Sequence, residues 1–137
     1  MPDPDCIFCK IVAGELPATI VDEDAHTVSF MDINPATRGH VLVVPRNHAR
    51  DLLSIDADDL AATAMAAQRL ATRMRERLGV AGINVINSCG GAAWQTVFHF
   101  HLHVIPRYLG DPLRLPWQPA PGETEEIAAA ARELSAP

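Results

Sequence analysis

A strict alternation of histidines with apolar residues constrains this chain more than any other feature of its sequence. His99, His101 and His103 alternate with Phe100 and Leu102. A period of two residues is the period of a β-strand, so the three imidazoles are predicted to share one face of a strand. Three polar rings on one face are costly unless they meet a ligand. The alternation therefore predicts a functional site.

The composition is that of a globular chain with an acidic surface. It has 137 residues, of which 48% are hydrophobic, and a formal net charge of −6. This length and hydrophobicity predict one domain over residues 1–137 with a core of its own. The negative charge argues against nucleic acid as a partner, because nucleic acids are bound through clustered lysine and arginine. The polar, acidic start and the lack of a long apolar run predict neither a secretory leader nor a membrane segment.

Three cysteines are present, and two of them form a C-x-x-C pair. Cys6 and Cys9 make the pair, and Cys89 is the third. An odd number favours a reducing cytoplasm over a disulfide framework. The pair has the spacing of metal ligands, but it is equally typical of a redox dithiol, and two buried thiols without either role are a further possibility. No βαβ pattern surrounds the pair, which disfavours a thioredoxin-like dithiol.

Periodicity and turn residues predict an α+β fold. The predicted strands span residues 19–23, 26–31, 40–44, 83–87 and 96–105. A long helix is predicted at 56–78, where Asp56 can cap it and Gly79 ends it, with an apolar stripe that includes Ala64. A second helix is predicted at 123–134, after a proline-rich segment. Strands in hairpin order outnumber helices, so we expect an antiparallel sheet of about five strands, one long helix and a C-terminal helix.

A row of imidazoles on a strand serves two chemistries. Alternate histidines can chelate a catalytic metal that keeps an open coordination position. A neutral imidazole can instead attack an electrophile such as phosphorus and form a covalent intermediate, because a histidine of pKa about 6.5 is largely unprotonated at neutral pH. Histidines that are merely satisfied within the core are the remaining interpretation. The residues alone leave these alternatives open.

The sequence also resembles the histidine triad (HIT) family and, within it, the bacterial Hint-like branch. Several segments carry the resemblance: Cys6-Ile-Phe-Cys9, Phe30-Met-Asp32, Arg38-Gly-His40-Val-Leu-Val-Val-Pro45, His48, Asn87, Gln95-Thr96, the three histidines and Arg107-Tyr108-Leu-Gly110-Asp111. Together they span most of the chain. The resemblance implies a HIT-like homodimer that binds purine nucleotides and hydrolyses or transfers nucleotidyl groups through a covalent nucleotidyl-histidine.

The resemblance also implies catalytic roles for four histidines. His101 would attack the α-phosphorus, with its ring held by the backbone carbonyl of His99. His103 would assist the leaving group, and His40 would support the polar cluster beside it. The implied substrates are nucleoside phosphoramidates, acyl-adenylates or dinucleoside polyphosphates. The alternative function is that of a nucleotide-binding regulatory or interaction protein with incidental turnover.

The nucleotide and metal ligands follow from the same resemblance. Asp32 would bind ribose hydroxyls and Ile33 would flank the base. The phosphate region would be contacted by Asn87, Gln95, Thr96, His101 and His103. Zinc-bearing members use a C-x-x-C and two histidines, which implies a closed structural zinc site at Cys6, Cys9, His48 and His99. Two departures from the family pattern are Trp94, at a position before Gln95 where family members usually have a small residue, and a loop from Asn87 to Gln95 that is one residue longer than usual.

Overall fold

The computed structural model describes residues 2–137 and contains, within them, three α-helices and five strands. In chain order the elements are α1 (Ile7–Val12), β1 (Ile20–Glu23), β2 (Thr27–Met31), β3 (Val41–Pro45), α2 (Ala57–Arg77), β4 (Gly82–Ile86), β5 (Leu102–Arg107) and α3 (Thr124–Ser135). A short 3-10 helix covers Gly91–Ala93.

The five strands form one antiparallel sheet in the order β1-β2-β3-β5-β4. β1 and β2 form a hairpin, as the sequence predicts. β5 lies between β3 and β4, and its His103 pairs with Leu42 on one side and Ile86 on the other. The prediction of an α+β fold with a five-stranded antiparallel sheet, one long helix and a C-terminal helix is confirmed.

Helix α2 covers one face of the sheet. Its buried side chains follow the helical period: Thr63, Ala66, Ala67, Leu70 and Met74. Two details differ from the sequence prediction. Ala64 is exposed, because the buried stripe runs through its neighbours Thr63 and Ala66. Asp56 occupies the N-cap position but makes no side-chain cap hydrogen bond.

Strand β5 is shorter than predicted, because it begins at Leu102 and not at residue 96. Val43 of β3 pairs with Leu102, and continuing that register would bring Pro45 opposite Phe100. Proline has no N–H to donate to the ladder, so the pairing ends before it. The N–H of Phe100 donates instead to the carbonyl of Ala49 at 2.7 Å.

The predicted alternation of faces holds through this segment even though β5 is short. The apolar members belong to the core against α2: Phe100, Leu102 and Val104. On the other face, Phe8 of α1 contacts the rings of His99 and His101. The histidines thus lie on the face of the sheet that α2 leaves free.

The chain after β5 is largely exposed. Prolines interrupt the segment before α3, and α3 itself has no buried residue. Trp117, in this segment, is 63% exposed. Within the described residues, no helix combines the length and the hydropathy that a membrane crossing requires.

Candidate active site and metal centre

Two cysteines and two histidines converge at the start of α1. Cys6 caps this helix, Cys9 lies in its first turn, His48 follows β3 and His99 precedes β5. Their four ligand atoms all lie within 4.8 Å of one another. Nδ1 of His99 is 3.4 Å from Sγ of Cys6 and 3.5 Å from Sγ of Cys9. Nδ1 of His48 is 3.3 Å from both Sγ of Cys9 and Nδ1 of His99.

The donor set and its spacing fit a tetrahedral zinc ion. Zinc bonds of about 2.3 Å to sulfur and about 2.05 Å to nitrogen place two nitrogens, or a nitrogen and a sulfur, roughly 3.3 to 3.6 Å apart on a tetrahedral ion. Nε2 of His99 donates to the carbonyl of Pro45 at 2.8 Å, which leaves the lone pair of Nδ1 facing the cluster. Burial lowers the pKa of His99 to about 4 and keeps its ring neutral. Four protein donors complete a tetrahedron, so the cluster suits a structural ion.

His101 is held in one tautomer by a residue two positions before it. Because a carbonyl can only accept, Nδ1–H of His101 donates to the carbonyl of His99, at 2.8 Å. In the neutral ring, Nε2 then carries an unprotonated lone pair. Burial lowers the pKa of His101, which favours the neutral ring at pH 7. This geometry suits a nucleophile.

His40 and His103 form a hydrogen-bonded pair beside His101. The backbone N–H of Ala36 donates to Nδ1 of His40 at 3.0 Å, so neutral His40 carries its proton on Nε2. That proton is donated to Nδ1 of His103 at 2.9 Å, which leaves the ring proton of His103 on Nε2. Burial, with a smaller effect of His101 and His40, lowers the pKa of His103 to about 4. The ring centroids of His101 and His103 are 5.0 Å apart. The ring of His101, with its unprotonated Nε2, therefore lies beside the ring of His103, which carries an N–H donor.

Asp32 completes a second group of metal-binding residue types with this pair. Its carboxylate is 3.5 Å from Nε2 of His40, and the ligand atoms of Asp32, His40 and His103 lie within 4.8 Å of one another. The 2.9 Å between the two imidazole nitrogens is a hydrogen-bond distance, shorter than the roughly 3.3 Å expected of two nitrogens on one tetrahedral ion. The donor on Ala36 also keeps a proton on Nε2 of His40. The group is a hydrogen-bonded network and does not fit a metal.

A cavity of about 580 Å³ opens beside the histidines. Much of its wall is apolar: Ile7, Phe8, Ile11, Leu16, Phe30 and Leu42. Its polar lining includes Asp32, Thr96, His101 and His103. Ile33, which is 91% exposed, also lines it. The volume is typical of small-molecule sites, and the lining suits a flat, apolar group that is joined to a polar one.

Gln95 and Asn87, which the resemblance places at the phosphate, hold backbone groups in this structure. The buried amide of Gln95 donates to two backbone carbonyls and accepts from one backbone N–H. Nδ2 of Asn87 donates to the carbonyl of His101 at 3.0 Å. Neither side chain is part of the cavity lining, whereas Thr96 is. Gln95 and Asn87 therefore fix the segment that carries Thr96 and His101.

Trp94 has a left-handed backbone with φ of 75° and is 68% exposed. This conformation costs a residue with a Cβ roughly 1 kcal/mol or more, and glycine adopts it freely. This cost is a physical reason to expect glycine rather than a large residue at this position. Gln95, next to Trp94, anchors the loop that imposes the strain.

The apolar wall of the cavity was not identified from the sequence. Ile7, Phe8 and Ile11 belong to α1, a helix of six residues that is too short to show a periodic pattern. The hydrogen bond from the N–H of Ala36 to His40 could not be predicted from the sequence either, because every residue except proline has a backbone N–H. The C-x-x-C spacing of Cys6 and Cys9 was the sequence feature that pointed to this segment.

Comparison with known proteins identifies the family. The HIT domain family model matches residues 13–110. An uncharacterised HIT-like protein of Methanocaldococcus jannaschii is 43% identical over 106 residues, which are 77% of this chain and 81% of the relative. The protein named hit of Bacillus subtilis is 40% identical over 116 residues, which are 83% of this chain and 79% of the relative.

Solved structures agree with the sequence matches. A Zn-bound histidine triad family protein of Mycobacterium smegmatis has a TM-score of 0.78 and 41% identity, covering 95% of this chain and 94% of that one. A histidine triad nucleotide-binding protein of Candida albicans has a TM-score of 0.83 and 31% identity, with the same coverage of 95% and 94%. The resemblance inferred from the sequence motifs is confirmed, and the chain belongs to the HIT, or histidine triad, family.

Proposed function

We propose that this protein binds a purine nucleotide in the cavity beside His101 and hydrolyses or transfers its nucleotidyl group. The observation that carries the proposal is the hydrogen bond from Nδ1 of His101 to the carbonyl of His99, which leaves Nε2 unprotonated. The family also includes a histidine triad nucleotide-binding protein of known structure, which supports a nucleotide as the ligand.

In the proposed reaction, the Nε2 lone pair of His101 attacks the α-phosphorus. A nitrogen–phosphorus bond forms while the bond to the leaving group breaks. The negative charge of a bound phosphate raises the pKa of His103, so that the His40–His103 pair carries a proton to the departing atom and becomes neutral. Water then attacks the same phosphorus, releases the nucleoside monophosphate and returns a proton to His103.

The proposed contacts follow the polarity of the cavity. The base lies against the apolar wall and Ile33, and the carboxylate of Asp32 accepts hydrogen bonds from ribose hydroxyls. The hydroxyl of Thr96 donates to a phosphate oxygen, where charge grows in the transition state. For Gln95 and Asn87 to bind phosphate directly, their amides must exchange backbone carbonyls for phosphate oxygens.

Zinc is proposed as a structural ion held by Cys6, Cys9, His48 and His99. It would supply a cross-link between α1 and the histidine segment and take no part in the reaction at phosphorus. Both thiols of the pair are free rather than joined in a disulfide, which fits the proposed location in a reducing cytoplasm.

The proposed substrates are nucleoside phosphoramidates, acyl-adenylates or dinucleoside polyphosphates, which share an α-phosphate with a displaceable group.

We further propose that residues 1–137 act as one domain and pair into a homodimer through β4. The sequence of this edge strand, from Gly82 to Ile86, has no charged residue, and its Val85 is 52% exposed. The opposite edge, β1, carries Asp22 and Glu23 and a register irregularity, features that disfavour edge pairing.

The test is AMP release from adenosine phosphoramidate, with AMP binding measured by calorimetry. Wild-type protein should turn the substrate over. His101→Ala should lose at least about a thousandfold in kcat, as expected for a missing nucleophile, and should still bind AMP. His26→Ala, at an exposed histidine outside the site, is the matched control and should keep full activity. Equal turnover by His101→Ala and wild type would overturn the proposal, whereas AMP binding without turnover in any variant would favour a binding protein.

A further inference from the structure

One short helix contributes to both the metal cluster and the nucleotide cavity. Helix α1 is six residues long and is capped by Cys6, with Cys9 in its first turn. Phe8 lies between these two ligands and is 5% exposed. Phe8 also lines the cavity, together with Ile7 and Ile11. Any shift of α1 therefore moves metal ligands and cavity wall together.

The ring of Phe8 packs directly on the proposed nucleophile. Its centroid is 5.2 Å from that of His101, at an interplanar angle of 86°. It also meets the ring of Phe30 at 5.3 Å and that of His99 at 6.0 Å, both edge-to-face. The hydrogen bond to the carbonyl of His99 fixes the tautomer of His101, and the edge-to-face contact restricts rotation of its ring. Together the two contacts determine where Nε2 points.

Side chains alone attach α1 to the rest of the fold. Among the described residues, 2–18 form no backbone hydrogen bond with 19–137. The attachment consists of the packing of Phe8, Ile11 and Val12 in the apolar cluster that includes Phe30, and of the contacts of both thiols with His48 and His99. A metal ion bound by these four ligands would replace the weak thiol–imidazole contacts by covalent cross-links.

We propose that Phe8 is a positioning residue through which metal binding orients His101 and strengthens nucleotide binding. The inference rests on the proposed function, because it assigns a regulatory input to the same site. A metal and a nucleotide that both bind better when α1 is docked must each increase the affinity for the other, since linkage is reciprocal. The docked position of Phe8 is the structural element that they share.

Two comparisons test the coupling. The first compares zinc-loaded and chelator-treated wild-type protein, with circular dichroism confirming that both are folded. We expect zinc removal to weaken AMP binding by about tenfold, the size of an ordinary coupling between two sites. We also expect ring ¹⁵N–¹H spectra to change from the single Nδ1–H tautomer of His101 to a mixture of tautomers. Unchanged AMP affinity and an unchanged His101 spectrum after zinc removal from folded protein would overturn the proposal.

The second comparison uses Phe8→Leu in the zinc-loaded protein, which keeps apolar volume but removes the ring edge. We expect kcat to fall by about tenfold, as for the loss of one aromatic pair, with the zinc content unchanged and the His101 tautomers mixed. Phe98→Leu, at a ring that stacks with Arg50 rather than His101, is the control and should retain the wild-type spectrum. Phe8→Leu with wild-type kcat and a wild-type His101 spectrum would refute the positioning role.

The two proposals can fail separately. If His101→Ala abolishes turnover but Phe8→Leu changes nothing, only the positioning role is wrong. If no variant turns over substrate, AMP affinity and the His101 spectrum still report whether zinc and the nucleotide cavity are coupled.

Discussion

Three imidazoles of the candidate site, those of His40, His99 and His101, are each held in one tautomer by a backbone group. The carbonyl of His99 accepts a hydrogen bond from Nδ1–H of His101. The N–H of Ala36 donates to the unprotonated Nδ1 of His40. The carbonyl of Pro45 accepts from Nε2–H of His99 and so leaves its Nδ1 unprotonated. In the proposed mechanism, chemically identical side chains thereby serve three different roles: nucleophile (His101), hydrogen-bond donor to His103 (His40) and metal ligand (His99).

The titration of His103 is the first prediction at this scale. In the folded, nucleotide-free protein its pKa should be about 4, because burial disfavours the charged ring. As the pH falls, the unfolded chain binds this proton first, near the ordinary value of about 6.5. The free energy of unfolding should therefore decrease between pH 6.5 and pH 4. Ring ¹⁵N chemical shifts measured against pH give the midpoint, and a value at or above that of the denatured protein would contradict the structure.

Residue identities at the site could be predicted from spacing, but their hydrogen bonds could not. The alternation of His99, His101 and His103 and the spacing of Cys6 and Cys9 are visible in the sequence. The partner of each ring nitrogen depends on backbone groups that the fold brings from elsewhere. This is also why the amide of Gln95 was expected on a phosphate and lies on backbone carbonyls in the structure.

At the scale of elements, long periodic segments were predictable and short or interrupted ones were not. Helix α2 and the strand at Val41–Pro45 agree closely with their patterns. Strand β5 begins late because its partner strand ends in Pro45, a constraint that only the register reveals. Helix α1 was not predicted, because its stability comes from the buried thiols and Phe8 rather than from helix propensity.

The proposed zinc site at Cys6, Cys9, His48 and His99 provides the prediction at this scale. Cys9→Ser should lower the zinc content and reduce Tm by roughly 5 to 10 °C, because zinc binding contributes to folding free energy. Zinc content is measured by elemental analysis and Tm by calorimetry. Cys89→Ser is the matched control, since this half-buried cysteine lies outside the cluster. An equal zinc content and Tm in Cys9→Ser and Cys89→Ser would contradict the assignment of the ligands.

At the scale of the whole molecule, the sheet has its larger apolar core on one face and the residues of the candidate site on the other. Helix α2 and the larger apolar core occupy one face. The cysteine–histidine cluster, the hydrogen-bonded histidines and the cavity share the other face with α1. This division allows the residues of the site to be polar without interrupting the core beneath α2.

The two edges of the sheet give a prediction about assembly. Wild-type protein should sediment as a dimer, and Val85→Lys on β4 should convert it to monomer, because a lysine on an edge strand disfavours edge pairing. Ile20→Lys on β1, where the side chain is 46% exposed, is the control and should remain dimeric. Sedimentation equilibrium distinguishes the outcomes, and a monomeric wild type or a dimeric Val85→Lys would exclude pairing through β4.

The most direct test of the proposed mechanism is the stereochemistry at phosphorus. The substrate is an adenosine phosphorothioate analogue of known configuration, carrying the same leaving group and hydrolysed in isotopically labelled water. Attack by His101 followed by attack of water inverts the phosphorus centre twice, so the mechanism predicts overall retention of configuration. A single direct attack by water gives inversion. Inversion would contradict a covalent nucleotidyl-histidine whatever the effect of replacing His101.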